Sequence, residues 1–199
     1  MLDEKNSIEI IVPKILVDAF KLLAKQKITH EGWTGRNTDR KAKNFVMCWL
    51  SEYAWKEVLG NKEIKYIHEG IYVGPVEYSP KSDFIVWEKD VKKSIGIRSR
   101  SYDQLSKYME VSYPDDRLRV EKEIISDYII ICSIKDTLSG GVLVQFFGAI
   151  KRKDFLEKYE NAEKKFSPIN QENFRLLSLK EFSYELMSEK ISAFDRRSN

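Results

Sequence analysis

Apolar residues recur at helical spacing in two segments near the start of the chain. One set covers residues 13–26 and a second covers residues 41–59. Spacing by three and four residues places such side chains on one face of a helix. Pro13 suits a first helical turn, and Gly60-Asn61 is a stop signal for the second segment. The pattern predicts two amphipathic helices joined by a polar loop at 30–40.

The middle of the chain changes to short runs of β-branched and aromatic residues. Runs at 64–73, 83–87 and 95–99 predict three strands, and the charged segment 88–94 predicts a hairpin turn between the last two. A short helix is expected at 102–111, and Tyr113-Pro114 is expected to break it. The continuous apolar run within 123–134 is typical of a strand buried on both faces. A further strand is predicted at 142–150, after the turn at Gly140-Gly141.

The C-terminal part predicts a charged helix at 153–165 and a last helix ending near Met187. Because helices interrupt the strands, we expect an α/β fold whose mixed central sheet is flanked by helices on both faces. The predicted organisation is a single domain over residues 1–199. It consists of an N-terminal helix and loop at 1–40, a core at 41–150 and a C-terminal helical extension at 151–199.

Composition narrows the class of protein. Hydrophobic residues make up 42% of the 199 residues, which is enough for a core, and the net charge of +3 is too small to identify a partner. Cys48 and Cys132 both lie in apolar runs, so buried free thiols are favoured over a disulfide or a metal pair. No apolar run approaches the roughly 20 residues of a membrane span. We therefore expect a cytoplasmic protein with no membrane partner.

Candidate chemistry centres on the predicted hairpin. The sequence has no glycine-rich phosphate loop and no Gly-x-Ser-x-Gly elbow. Glu52 lies on the second predicted helix, Asp83 opens a strand, and Arg98 lies on the next strand. Gln104 and Tyr108 are four residues apart on the short helix and share one face.

This order of residues and elements resembles the PD-(D/E)xK nuclease superfamily, which has a restriction-endonuclease-like fold, over residues 43–150. Members share a helix, a three-stranded meander, a helix and a further strand. Their site combines an Asp on the second strand with Glu/Asp-x-Lys on the third, often with a Glu on the first helix. Asp83 and Glu52 match two of these positions, and Gln104 through Tyr108 has the Gln-x-x-x-Tyr form of the RecB-like branch. The third strand departs from the pattern because it reads Gly96-Ile97-Arg98.

The resemblance implies a metal-dependent DNA endonuclease. Asp83 and Glu52 would bind Mg²⁺ or Mn²⁺, Arg98 would stabilise charge, and Gln104 and Tyr108 would contact the substrate or organise the site. Carboxylates are the ligands that Mg²⁺ prefers, and the metal neutralises phosphate charge and activates water. Three further cations are candidate DNA contacts: Arg36, Arg100 and Lys107.

Two other functions stay open. Gly96 offers no side-chain ligand, and an arginine at position 98 suits phosphate binding better than water activation. A non-catalytic nucleic-acid-binding relative is therefore one alternative, and a protein-interaction or regulatory domain without nucleic acid is another. For partners, DNA is expected and homodimer formation is left open. Asp83 can also simply begin a strand, and Glu52 can be a solvated helix charge. Glu69 or Glu77 is a candidate for the carboxylate that Gly96 lacks.

Overall fold

The computed structural model describes residues 6–30, 38–68, 82–115, 125–167 and 172–197. These ranges form nine strands and five α-helices, together with a 3-10 helix at Leu179–Glu181. None of the helices in these ranges has the length and apolar character that crossing a membrane requires. In chain order the elements are β1 (Ile8–Val12), α1 (Lys14–His30), α2 (Thr38–Asn61), β2 (Tyr66–Ile67), β3 (Phe84–Glu88), β4 (Val91–Ser101), α3 (Tyr102–Tyr108), β5 (Glu110–Pro114), β6 (Tyr128–Asp136), β7 (Val142–Lys151), α4 (Arg152–Asn161), β8 (Lys164–Ser167), β9 (Glu172–Ser178) and α5 (Tyr184–Ala193).

Six strands form a mixed sheet in the order β1-β7-β6-β4-β3-β2. Strands β4 and β6 run parallel, with Ile97 opposite Ile130, and the other neighbouring pairs are antiparallel. A separate antiparallel sheet has the order β5-β9-β8. The six-stranded sheet with its flanking helices confirms the predicted α/β class.

The six-stranded sheet has a core on each face. Helices α1, α2 and α5 pack on one face, and the small sheet packs with α3 and α4 on the other. Strand β6 contributes to both cores, because Ile130 and Cys132 point to the first and Ile129 and Ile131 point to the second. Burial of both faces explains why β6 appears in the sequence as a continuous apolar run.

Strands β3 and β4 form the predicted antiparallel hairpin, with Phe84 opposite Ile95. The turn is shorter than predicted, since it consists of Lys89 and Asp90 alone. Both residues have positive φ, 52° and 63°, which is the geometry of a two-residue turn that matches strand twist. The Asp195 carboxylate accepts hydrogen bonds from the amides of Lys89 and Asp90 at 3.0 and 2.9 Å. The C-terminal segment therefore fastens the tip of this hairpin.

Several sequence predictions are wrong in detail. The helix predicted at 102–111 ends at Tyr108, and Tyr113 lies in β5 rather than in a break. Pro114 is tolerated there because β5 is at the edge of the small sheet. The predicted helical extension at 151–199 also holds β8 and β9, since the pairing of β9 with β5 and of β8 with β9 overrides local helical preference. Strand β1, which pairs with β7 at the other edge, was not predicted.

Candidate functional site

One face of β4 is polar along most of the strand. Ile95 and Ile97 point into the core beneath α2, so alternation directs Gly96, Arg98 and Arg100 toward the small sheet. The two arginines are two strand residues apart, a separation of about 7 Å between Cα atoms. The strand therefore presents two cations side by side on one face.

Strand β5 holds both guanidinium groups in place. Arg98 Nη2 donates to the Tyr113 hydroxyl at 3.1 Å, and the guanidinium carbon lies 5.1 Å from the Tyr113 ring centre. Arg100 Nη2 donates to the carbonyl oxygen and to Oγ of Ser112, at 2.9 and 2.8 Å. These partners are neutral, and neither arginine forms an ion pair with a carboxylate in the described ranges. The two positive charges are thus oriented but not balanced by these residues.

Asp83 immediately precedes β3 and caps the end of the strand ladder. Its Oδ2 accepts from the Ile97 amide at 2.6 Å, and its own amide donates to the Ile95 carbonyl at 3.1 Å. A side-chain oxygen therefore satisfies a β4 amide beyond the first residue of β3. The strand-opening role that the sequence left open for Asp83 is present, and it fixes the carboxylate beside the Gly96-Ile97-Arg98 segment.

Glu52 forms a half-buried pair with His68. The Glu52 Oε2 and His68 Nε2 atoms are 3.2 Å apart, and the two side chains are 17% and 11% exposed. The His68 ring stacks on Phe84 with centroids 4.4 Å apart. Burial raises the pKa of Glu52, the His68 hydrogen bond opposes this, and the Asp83 charge raises the pKa further. The alternative that Glu52 is a solvated helix charge is therefore wrong, because its side chain is mostly buried and the charge of Asp83 raises its pKa.

Cys48 lies one helical turn before Glu52 on α2, and it is exposed rather than buried as predicted. Asp83 and Arg98 lie close together on the β3–β4 hairpin, because Asp83 accepts a hydrogen bond from the Ile97 amide. Glu52 comes from α2, which packs on one face of the sheet, whereas Arg98 points to the other face.

Gly96 stands where the nuclease motif has its acid, and the adjacent space is occupied. A Cβ atom built on Gly96 would lie 2.9 Å from Ser126 Oγ and 3.3 Å from Ser126 Cβ. Ser126 is buried just before β6, so it has little room to move. The close approach of this serine explains the glycine and the absence of a third carboxylate at this position.

The remaining predicted contacts are farther from these groups or lie outside the described residues. Gln104, Lys107 and Tyr108 are exposed on α3, which follows β4 directly. Tyr108 is 59% exposed, and Lys107 Nζ lies 5.1 Å from its ring centre. No described hydrogen bond joins Gln104 or Tyr108 to the Glu52, Asp83 and Arg98 group. Arg36 and the carboxylates of Glu69 and Glu77 lie outside the described residues.

Sequence reasoning missed a buried polar row on the same face as the arginines. Arg100 is in register with Ser133 on β6, and Ser133 with Gln145 on β7. Ser133 is fully buried, and neither its Oγ nor Arg98 Nε has a hydrogen-bond partner among the described residues. The sequence contained a signal for this row, because Ser133 and Gln145 are polar residues that lie next to long apolar runs in their strands.

A cavity of about 390 Å³ lies away from this group of residues. None of the candidate residues borders it. It is lined by Ser7, Ile8, Ile10, Val58, Asn61, Lys62, Tyr184, Ser188, Ile191, Ser192 and Arg196.

Comparison with known proteins gives no relative from which a role could be transferred to this group. No family model matches the chain, and no curated protein and no solved structure matches it.

Proposed function

We propose that this chain is a nucleic-acid-binding domain with a nuclease-like layout, in which Arg98 and Arg100 bind backbone phosphate. The observation that carries the proposal is the pair of half-buried guanidinium groups on one face of β4 with no carboxylate partner among the described residues. Removing a charge from water is costly unless an opposite charge accompanies it. A nucleic-acid phosphate supplies that charge and several acceptor oxygens.

The arginines are suited to phosphate because they are held before a ligand arrives. Tyr113 orients one guanidinium and Ser112 the other, so little side-chain freedom is lost on binding. Burial lowers the pKa of Arg100, and the nearby charge of Arg98 lowers it further. An anion between the two groups relieves this repulsion, which favours the bound state.

The order of elements supports DNA as the partner. Helix α2, strands β2, β3 and β4, helix α3 and strand β6 parallel to β4 follow in the order that the nuclease resemblance implies, with β5 of the small sheet between α3 and β6. Under the proposal, Asp83 before β3 and Gly96 and Arg98 on β4 correspond to the motif positions. The proposal thus has a topological support that is independent of the arginine contacts.

Fluorescence anisotropy with labelled single- and double-stranded DNA tests the proposal. Wild-type affinity should fall steeply with salt because condensed counterions are released. Arg98→Gln should weaken binding by about tenfold or more and lower the salt slope by about one. Arg98→Lys should recover part of the affinity, since it keeps the charge but loses the planar fork. Lys21→Ala, which removes an exposed cation from α1, is the matched control and should bind like the wild type.

Two results would contradict the proposal. The first is the absence of wild-type binding to either form of DNA at low salt. The second is an equal loss of affinity in Arg98→Gln and Lys21→Ala, which would show that only overall charge matters. The first result would favour the protein-interaction alternative, whereas the second would remove the assignment of phosphate binding to Arg98.

A second candidate function is metal-dependent phosphodiester hydrolysis. It is favoured by the charge of Asp83, which adds to burial in raising the pKa of Glu52. Two carboxylates fit Mg²⁺, which usually binds one or two of them together with water and substrate phosphates. Asp83 and Glu52 would hold the ion, which supplies charge neutralisation and a more acidic water. Arg98 would stabilise charge on the phosphate, and the Ile97 amide keeps the Asp83 carboxylate at the strand edge.

A cleavage assay with Mg²⁺ or Mn²⁺ separates the two functions. If the protein hydrolyses DNA, Asp83→Asn should abolish cleavage and leave DNA binding largely intact, because this change removes a charge with little change in side-chain shape. Arg98→Gln should reduce both. A wild-type protein that binds DNA but cuts neither single- nor double-stranded substrates with either metal would exclude hydrolysis and leave the binding function.

A further inference from the structure

The polar row beside the arginines indicates a more specific ligand than backbone phosphate in general. Arg98 Nε and Ser133 Oγ are both buried hydrogen-bonding groups that lack a partner among the described residues. They come from neighbouring parallel strands and face the same side of the sheet, with Arg100 in register with Ser133. Unsatisfied buried polar groups are rare, and each one calls for a bound water, ion or ligand.

The charges at this place indicate what kind of ligand fits. Two guanidinium groups bring two positive charges, whereas an internal phosphodiester has one negative charge. A terminal phosphate monoester carries about 1.5 to 2 negative charges at pH 7 and has three strong acceptor oxygens. Its charge matches that of the two arginines, and its oxygens match donors on Arg98, Arg100 and Ser133.

The enclosed position of these groups also favours the terminal phosphate of a nucleic-acid strand over an internal phosphate. Arg98 is enclosed between β4 and the Tyr113 ring on β5, and Ser133 is 0% exposed. An internal phosphodiester is bonded to a sugar on both sides, so an enclosed site would need two openings for the strand. A terminal phosphate is bonded to one sugar only, so a single opening is enough. We propose that Arg98, Arg100 and Ser133 form a pocket for the terminal phosphate of a nucleic-acid strand. This inference rests on the proposed function, because it makes the nucleic-acid partner end-specific.

The test compares oligonucleotides that differ only at one end. Anisotropy is measured with 3′-labelled strands carrying a 5′-phosphate or a 5′-hydroxyl, and with 5′-labelled strands carrying a 3′-phosphate or a 3′-hydroxyl. The wild type should prefer one phosphorylated end by about tenfold or more, since charged hydrogen bonds are among the stronger ones. The preference should shrink as the pH falls below about 6, where the second phosphate proton returns.

Variants show whether the named residues cause the preference. Ser133→Ala should reduce the preference severalfold while keeping most of the affinity for hydroxyl ends. Arg100→Lys should reduce both the preference and the overall affinity, because Arg100 also binds backbone phosphate in the proposed function. Ser51→Ala removes another buried serine hydroxyl, from α2 beneath the opposite face of the sheet, and should keep the full preference. Inorganic phosphate should compete with the phosphorylated strand more strongly than with the hydroxyl strand.

The outcomes separate this inference from the proposed function. Equal binding of phosphorylated and hydroxyl ends overturns the terminal-phosphate pocket and leaves general DNA binding intact. A full preference in Ser133→Ala and Arg100→Lys also overturns the pocket assignment. Absence of binding to every oligonucleotide overturns the proposed function itself. Stabilisation by inorganic phosphate without any end preference would assign the site to free phosphate, against the inference.

Discussion

Gly96 and Ser126 are so close that a Cβ atom on residue 96 would lie 2.9 Å from the serine Oγ. Overpacking of a buried site usually costs about 1–3 kcal/mol, so we expect Gly96→Ala to lower the free energy of unfolding by about that amount. Ser126→Gly should relieve most of the cost in the double variant. Urea unfolding of the wild type, both single variants and the double variant gives the coupling energy. Additive effects would show that the contact does not explain the glycine.

The same contact changes how the nuclease motif has to be rebuilt. Gly96→Glu combined with Arg98→Lys restores the motif but drives the new side chain into Ser126. We expect the soluble, folded yield of this double variant to rise when Ser126→Gly is added. Cleavage by the triple variant with Mg²⁺ would support the assignment of Asp83 and Glu52, whereas a folded triple variant without cleavage would argue against it.

Glu52 should reduce stability at neutral pH. Its pKa is raised in the fold mainly by burial, so ionisation is disfavoured in the folded state relative to the unfolded chain. Glu52→Gln should therefore increase the free energy of unfolding at pH 7, and the difference should vanish below the ordinary glutamate pKa of 4.5. Urea unfolding at both pH values measures this, with the exposed Glu157→Gln as control. A less stable Glu52→Gln at pH 7 would show that the charged form is favoured.

The pair of Glu88 and Lys190 should stabilise the fold across the neutral range. Lys190 Nζ donates to Glu88 Oε1 at 2.9 Å, and both side chains are less than a fifth exposed. The Lys190 hydrogen bond is the main reason that the pKa of Glu88 is lowered, and the same contact raises the pKa of Lys190 to about 12. The Glu88 contribution is lost as acid protonates it, and the Lys190 contribution is lost as the pH approaches 12.

Lys190→Met should therefore cost about 1–3 kcal/mol at pH 7. The variant should also lose less stability than the wild type between pH 7 and pH 3. Thermal or urea unfolding across this pH range provides the measurement. Lys158→Met, which breaks the more exposed pair with Glu181, should have a smaller effect and serves as the control. Equal losses of unfolding free energy in Lys190→Met and Lys158→Met would show that burial does not strengthen the Glu88–Lys190 pair.

Asp195 should determine how firmly the β3–β4 turn is closed. Asp195→Ala removes the acceptor for the Lys89 and Asp90 amides, and charged hydrogen bonds are worth about 1.5–3 kcal/mol each. We expect both amides to exchange with deuterium much faster in the variant, while the amides of β6 keep their protection. Unchanged exchange at Lys89 and Asp90 would show that the turn holds without the carboxylate.

The sequence contains enough information to predict the elements whose own patterns are strong. The amphipathic stripe of α2, the β3–β4 hairpin and the apolar run of β6 were all predicted, because burial of those faces is visible in each segment alone. A shared site of Glu52, Asp83 and Arg98 stays a prediction. DNA binding, hydrolysis, the terminal-phosphate pocket and homodimer formation also stay predictions.

The remaining parts depend on contacts between distant segments. Strands β5, β8 and β9 carry mixed residues and become a sheet only by pairing with one another, so local periodicity favoured helices there. Arg100 and Ser133 are separated by 33 positions, and only the parallel register of β4 and β6 aligns them. The steric reason for Gly96 likewise requires the position of Ser126, which no local pattern gives.

The carboxylate that closes the β3–β4 turn comes 106 positions after Lys89, and this separation has a consequence for biosynthesis. At about 5–20 residues per second, a ribosome needs on the order of 5–20 s to synthesise the intervening chain. During that time the hairpin with Asp83 and Arg98 lacks its cap, and such distant contacts also form slowly after release. We therefore expect the Lys89 and Asp90 amides of nascent chains to gain protection from exchange only after Asp195 has left the ribosome.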